Sequence, residues 1–220
     1  MFIIMLGPPG AGKGTQARNI SKKLNIPHIA SGDILRERVR IADDELSKKI
    51  REHMLRGELV PDDIVIKIIH DRLSQNDCEH GAVLDGYPRT LAQAKTLDAF
   101  LENKNKRVEI VINLDVPDDE VIKRLTYRRL CPKCNRIYHL LFNPPKNNEL
   151  CDICNVKLIQ RIDDREDIVK KRLEEYRNRT SSLINYYAEK HILYIVNGVN
   201  DINRIFNNII FLIEEAIKPV

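Results

Sequence analysis

Phe2-Ile3-Ile4-Met5-Leu6-Gly7-Pro8-Pro9-Gly10-Ala11-Gly12-Lys13-Gly14-Thr15 lies at the start of the chain. Its first five residues are apolar and rich in strand formers, the mark of a strand buried on both faces, as in a parallel sheet. From Gly7 the stretch matches G-x-x-x-x-G-K, a phosphate-binding loop set between a strand and a helix. Glycines let successive backbone N–H groups turn inward with no Cβ in the way, which makes an anion nest. The N-terminus of the helix that follows adds partial positive charge. Lys13 supplies an ammonium for the terminal phosphates. Gly14 replaces the hydroxyl residue that usually follows the lysine and contacts Mg²⁺ in GTPases, and Thr15 comes one position later.

Outward from this loop, short apolar runs recur at 26–30, 82–85, 108–116 and 192–196. Helical patterns fill the gaps at 13–24, 33–39, 44–56, 62–74, 91–103, 118–129, 164–190 and 201–216. Asp62, Thr90 and Asp118 read as N-caps. Strands alternating with helices predict an α/β fold: a five-stranded parallel sheet flanked by helices on both faces. The segment 130–159 breaks the alternation with prolines, asparagines and four of the five cysteines, and it reads as a small inserted module.

Composition narrows the function classes. Of 220 residues, 43% are hydrophobic and 31% charged, which suits a soluble globular chain and excludes disorder. Gly7 and Pro8 stop the N-terminal apolar run short of a signal segment, so a cytoplasmic location without membrane insertion is expected. Thirty-six basic and 32 acidic residues leave a net charge of +4, without the patch bias of a nucleic-acid binder. Cys78 stands alone and reads as a small buried apolar residue.

Cys131, Cys134, Cys151 and Cys154 form a C-x₂-C-x₁₆-C-x₂-C array, within zinc-site spacing. Four thiolates fill a tetrahedral Zn²⁺ site and leave no open position, so the metal is expected to be structural. An insert of about thirty residues is too small for a useful core, and a metal cross-link substitutes for one. His139 is near enough to compete as a ligand, but beside four cysteines it reads as a packing or hydrogen-bonding residue.

Further motifs join the phosphate loop. They are Ser31-Gly32-Asp33 with Arg36, Gly57-Glu58-Leu59-Val60-Pro61-Asp62, Leu84-Asp85-Gly86-Tyr87-Pro88-Arg89-Thr90 with Gln93, Tyr127-Arg128-Arg129, Arg161-Ile162-Asp163-Asp164 and Arg172-Leu173. Together they resemble the nucleoside monophosphate kinases, and within them adenylate kinase of the long-lid, zinc-bearing type, over essentially the whole chain. The resemblance implies a core at 1–30, 61–127 and 165–220, a helical AMP-binding flap at 31–60, and a lid with a zinc site at 128–164. It implies reversible phosphoryl transfer from Mg-ATP to AMP giving two ADP, by a cytoplasmic monomer.

By the same resemblance, Gly10, Ala11, Gly12, Lys13, Gly14 and Thr15 hold the ATP phosphates. Arg124 and Arg128 reach the donor and the transferring phosphoryl, and Ile137 with Tyr138 lie against the donor base. Ser31, Arg36, Glu58, Leu59, Val60, Gly86, Tyr87, Pro88, Arg89, Gln93, Arg161 and Arg172 form the AMP site, and Asp85 orients water on Mg²⁺. Lys13 and the arginines at 89, 124, 128, 161 and 172 are the catalytic set.

Several residues have a second reading. Lys123 and Arg129 compete with Arg124 in register. Asp163 and Asp164 could cap the helix beginning there, and Gln93 could be a surface helix residue instead of a reader of the adenine edge. Three positions depart from the family pattern. Ser31 keeps the hydroxyl of a usual threonine, the stretch 43–47 lacks glycines and should stiffen or reshape the hairpin of the flap, and Ser182 replaces a proline, so the long helix should kink less. Kinases using GTP with AMP, or UMP or CMP as acceptor, are the near alternatives. The distant one is a zinc-ribbon NTPase acting on nucleic acid, which predicts a basic, aromatic-bearing stripe; aromatics are only 5% here.

Overall fold

The computed structural model describes residues 1–147 and 149–217. Five parallel strands form one sheet: β1 (Phe2–Leu6), β2 (His28–Ala30), β3 (Ala82–Asp85), β4 (Val108–Asp115) and β7 (Leu193–Asn197), in the order β2-β3-β1-β4-β7. β1 lies between β3, with Phe2 opposite Ala82, and β4, with Leu6 opposite Asn113. Every residue of β1 is buried, because helices cover both faces of the sheet. Phe2, Ile4 and Leu6 enter one core, and Ile3 and Met5 enter the other, the period of two expected of a strand.

The first core contains α4 (Asp62–Leu73), α5 (Leu91–Glu102) and α8 (Ser182–Glu189), and the second contains α1 (Lys13–Leu24) and α9 (Ile202–Ala216). From β1 the chain builds one side of the sheet, then crosses to the other at β4. That reversal opens a crevice at the carboxyl ends of the strands. Two segments border it. One is the pair α2 (Ser31–Ile41) and α3 (Glu45–Arg56). The other follows α6 (Asp118–Thr126) and contains the antiparallel pair β5 (Arg128–Leu130) and β6 (Ile137–His139). Among the described residues no helix is long and apolar enough to cross a membrane.

Four local expectations change. The helix expected over 118–129 stops at Thr126, and Arg128–Leu130 pairs with Ile137–His139 instead. Asp62 and Asp118 are first-turn residues behind the caps Pro61 and Pro117, where their charge favours the helix N-terminus. Thr90 does cap α5, accepting from the Gln93 N–H. The helix expected over 164–190 divides into α7 (Glu166–Glu175), a π turn (Tyr176–Thr180) and α8, although it lacks the proline. Its two halves serve different cores: Val169 and Leu173 pack in one, Leu183 and Tyr187 in the other. In the glycine-free stretch 43–47, Asp44 caps α3 through the Ser47 N–H and pairs with Arg38 of α2.

Candidate active site

A cavity of about 1040 Å³ opens at the carboxyl ends of the strands, with the phosphate loop on one side and a group of arginines on the other. Gly12, at φ 97°, is the left-handed cap residue of α1, and no side chain caps that helix end. The first N–H groups of α1 therefore suit an anion. Lys13 Nζ donates to the carbonyls of Gly7 at 2.8 Å and Pro8 at 2.7 Å. Desolvation pushes its ammonium down to about 7, against the pull of Asp85 and with the push of Arg89, Arg172 and Arg128.

The structure explains Gly14. A Cβ there would sit 2.9 Å from Asp85 Oδ2, too close for any side chain at that position unless the carboxylate moves. Desolvation raises the Asp85 pKa, but His28, Lys13 and Arg89 together hold it below the usual carboxylate range. His28 Nε2 lies 3.4 Å from Asp85 Oδ2. Sequence reasoning passed over this histidine, whose only signal was its place in the strand preceding Ser31.

Across the cavity, Arg36 comes from α2, Arg89 from the loop after β3, Arg161 from the end of the inserted module and Arg172 from α7. Desolvation and the neighbouring guanidinium groups push Arg89 and Arg161 down to about 10. Arg172 is pushed down by the same causes, with Asp163 opposing. Cations brought together at this cost suit an anion. Arg89 Nε reaches the Gly86 carbonyl at 2.9 Å, and Ser31 Oγ reaches the same oxygen at 2.6 Å.

Asp163 and Asp164 do not cap α7, whose N-cap is Arg165 and has no side-chain cap bond. Arg172 Nη1 lies 3.1 Å from Asp163 Oδ2. The fully buried Asp164 takes Arg128 in a two-point pairing at 2.7 and 2.5 Å. Two partly buried guanidinium groups need such partners, and this need outweighs the capping role. Arg124 faces the phosphate loop and bonds Glu120 at 2.7 Å and the Gly198 carbonyl at 3.0 Å. Its competitors turn away: Lys123 lies over the Phe142 ring, and Arg129 donates to nearby backbone carbonyls.

Glu58, Leu59, Val60, Gly86, Pro88, Gln93 and Ile137 all border the cavity. Tyr87 does not. It is fully buried beneath the loop, with its hydroxyl 3.4 Å from the Gln93 carbonyl. Gln93 is no surface residue, being 2% exposed. Its Oε1 accepts from the Arg89 N–H at 2.7 Å and its Nε2 donates to Asp62 Oδ1 at 2.7 Å. Tyr138 borders the cavity but is 1% exposed, with its hydroxyl 3.4 Å from Cys151 Sγ. Sequence reasoning also passed over Phe142, an exposed aromatic that stacks on His139 at 4.5 Å beside the cavity. His139 is the packing residue expected, and its Nδ1 accepts from the Leu141 and Phe142 N–H groups.

The sulfurs of Cys131, Cys134, Cys151 and Cys154 all lie within 4.8 Å of one another. Tetrahedral zinc with Zn–S bonds near 2.3 Å sets sulfurs about 3.8 Å apart, and Cys134 and Cys151 Sγ are 3.7 Å apart. The Cys134 and Cys154 N–H groups each approach a cluster sulfur at 3.5 Å, an arrangement that favours thiolate. The donor set fits Zn²⁺. Cys78, as expected, is buried elsewhere.

The family model described as adenylate kinase matches residues 5–192. The chain is 51% identical over 212 residues to an adenylate kinase of Thermotoga neapolitana, covering 96% of each chain. It is 51% identical over 215 residues to one of Archaeoglobus fulgidus, covering 98% of this chain and 99% of the relative. An adenylate kinase of Clostridium botulinum is 49% identical over 209 residues, covering 95% of this chain and 96% of the relative. At this length and identity the match is decisive, and the chain belongs to the adenylate kinase family.

Proposed function

We propose that the chain transfers a phosphoryl group reversibly from Mg-ATP to AMP, giving two ADP, with the residue roles set out here. The observation that carries this reading is the cluster of desolvated guanidinium groups facing a phosphate loop across one cavity. Gly10 to Thr15 hold the donor phosphates, and Arg124 and Arg128 approach from the side of α6 and β5. Arg36, Arg89, Arg161 and Arg172 take the acceptor phosphate. Ser31, Glu58, Leu59, Val60, Gly86, Pro88 and Gln93 surround the acceptor nucleoside, and Tyr87 supports them from below.

An ionised phosphate is already a nucleophile, so the protein positions two anions and stabilises charge without a general base. The ionised, desolvated Asp85 suits a hard cation carrying its own water, and Mg²⁺ bound with ATP supplies neutralisation of the polyphosphate. The lid at 128–164, stiffened by zinc on its four cysteines, and the flap at 31–60 close on the core and exclude water. In this reading the chain acts as a monomer on free nucleotides in the cytoplasm.

A coupled assay tests the reading. ATP with AMP and Mg²⁺ should yield ADP faster than any pairing with GTP, UMP or CMP. Preference for a pyrimidine acceptor, or for GTP as donor, would replace the substrate assignment.

Lys13 makes a second prediction. In the free protein its ammonium titrates at about 7, against 10.5 for an ordinary lysine. An ATP phosphate beside it favours the charged form, so binding above pH 7 takes up a proton and weakens as pH rises. Calorimetry in buffers of different ionisation enthalpy should show uptake approaching one proton per ATP at about pH 8.5, and almost none at about pH 5.5. Equal heats in all buffers at the higher pH would mean that Lys13 is already charged before ATP binds.

A further inference from the structure

Arg89 lies between the end of β3 and the cap of α5, in a loop where no ladder holds its peptide groups. Side chains hold them instead. On one side the Arg89 N–H goes to Gln93 Oε1, and Asp62 fixes the Gln93 amide in turn. On the other side Thr180 Oγ1 donates to the Arg89 carbonyl at 3.0 Å. Thr180 is 7% exposed and is the last residue of the π turn.

The turn has a physical reason to sit there. A π turn places more residues in each turn than an α-helix does, so it resets the direction in which later side chains point. α7 buries Val169 and Leu173 in one core, and α8 buries Leu183 and Tyr187 in the other. Thr180, at the junction, is directed at the loop that carries Arg89. Arg172 and Arg36 meanwhile repel the Arg89 guanidinium, while Asp85 and Asp163 attract it. Pulled in opposed directions, that side chain depends on a rigid peptide at its root for its aim.

We propose that Thr180 is a positioning residue for the acceptor phosphate: through the Arg89 carbonyl, the π turn fixes where the Arg89 guanidinium points. The inference rests on the acceptor-site role given to Arg89 above.

Thr180→Val removes the donor and keeps the shape. It should lower kcat/KM for AMP by about five- to tenfold, leave KM for ATP within about twofold, and melt near the wild-type temperature. Thr180→Ser keeps the hydroxyl and should restore most of the loss. In an Arg89→Ala background the valine should add nothing, because its effect passes through Arg89. Should valine prevent folding, Thr180→Ala makes the same comparison. The proposal is overturned if Arg89→Ala is impaired while Thr180→Val matches wild type. It is also overturned if serine is as harmful as valine, or if the valine loss adds fully to that of Arg89→Ala. An Arg89→Ala enzyme with normal AMP kinetics would instead overturn the acceptor-site reading itself.

Discussion

Arg89→Ala is expected to lower kcat/KM for AMP by about 10²- to 10³-fold, the loss that follows removal of one charge-stabilising donor. Among the described residues the guanidinium has one hydrogen bond, to the Gly86 carbonyl, and burial with Arg172 and Arg36 opposes its charge more than Asp85 and Asp163 favour it. Its removal should therefore leave the melting temperature unchanged or slightly higher. This dissociation separates a functional cation from a structural one. Arg89→Lys should recover little, since an ammonium cannot grip two phosphate oxygens in a plane. Steady-state kinetics with AMP varied, beside a thermal melt, make the check. A loss below about tenfold, or a matching loss of stability, would contradict the role.

Removal of the metal should have the second large effect, and a different one. The core of the cysteine module consists of Cys131, Tyr138, Cys151 and Leu158, with Cys154 and Val156 against it. So few side chains cannot order a lid without the cross-link. Chelation should release one zinc per chain, make 128–164 sensitive to protease and lower the melting temperature. At this chain length, a loss of about 3 kcal/mol corresponds to a drop of about 6–12 °C. ATP should still bind, because the phosphate loop and α1 lie outside the module. Turnover should fall while ATP hydrolysis by water rises relative to transfer, since the proposed task of the module is to exclude water. An unchanged melting curve after verified metal loss would count against the structural role.

Much of this was legible in the sequence because it depends on local physics. The phosphate loop needs glycines and a lysine at fixed spacing, and those residues state their purpose without a partner. The boundaries of α1 fall where the sequence pattern puts them, at Lys13 and Leu24. The four cysteines carry their own spacing rule. What was hidden depends on groups distant in the chain. Asp164 next to a helix start looks like a cap, and only the fold brings Arg128 to it. The π turn arises because two cores compete for one helix, which periodicity in a single segment does not reveal.

Tyr138 illustrates how a strand divides its neighbours between two faces. Neighbouring residues of a strand point to opposite faces, so Ile137 and Tyr138 in β6 should not both turn their side chains to one ligand. Tyr138 turns to the cysteines. Tyr87 shows the same division between touching a ligand and supporting what touches it. It lies beside Arg89 yet is sealed in the core, whereas Gln93, tied to Arg89 and Asp62, borders the cavity.

In the mechanism proposed, two nucleotides meet end to end in one cavity closed to water, so that a phosphoryl group passes between them without reaching solvent. ATP labelled in its γ-phosphate distinguishes this from hydrolysis, in a single turnover with enzyme in excess. With AMP present, the label should appear in the ADP newly made from AMP and almost none in inorganic phosphate. Label released mainly as inorganic phosphate, at a rate indifferent to AMP, would contradict it.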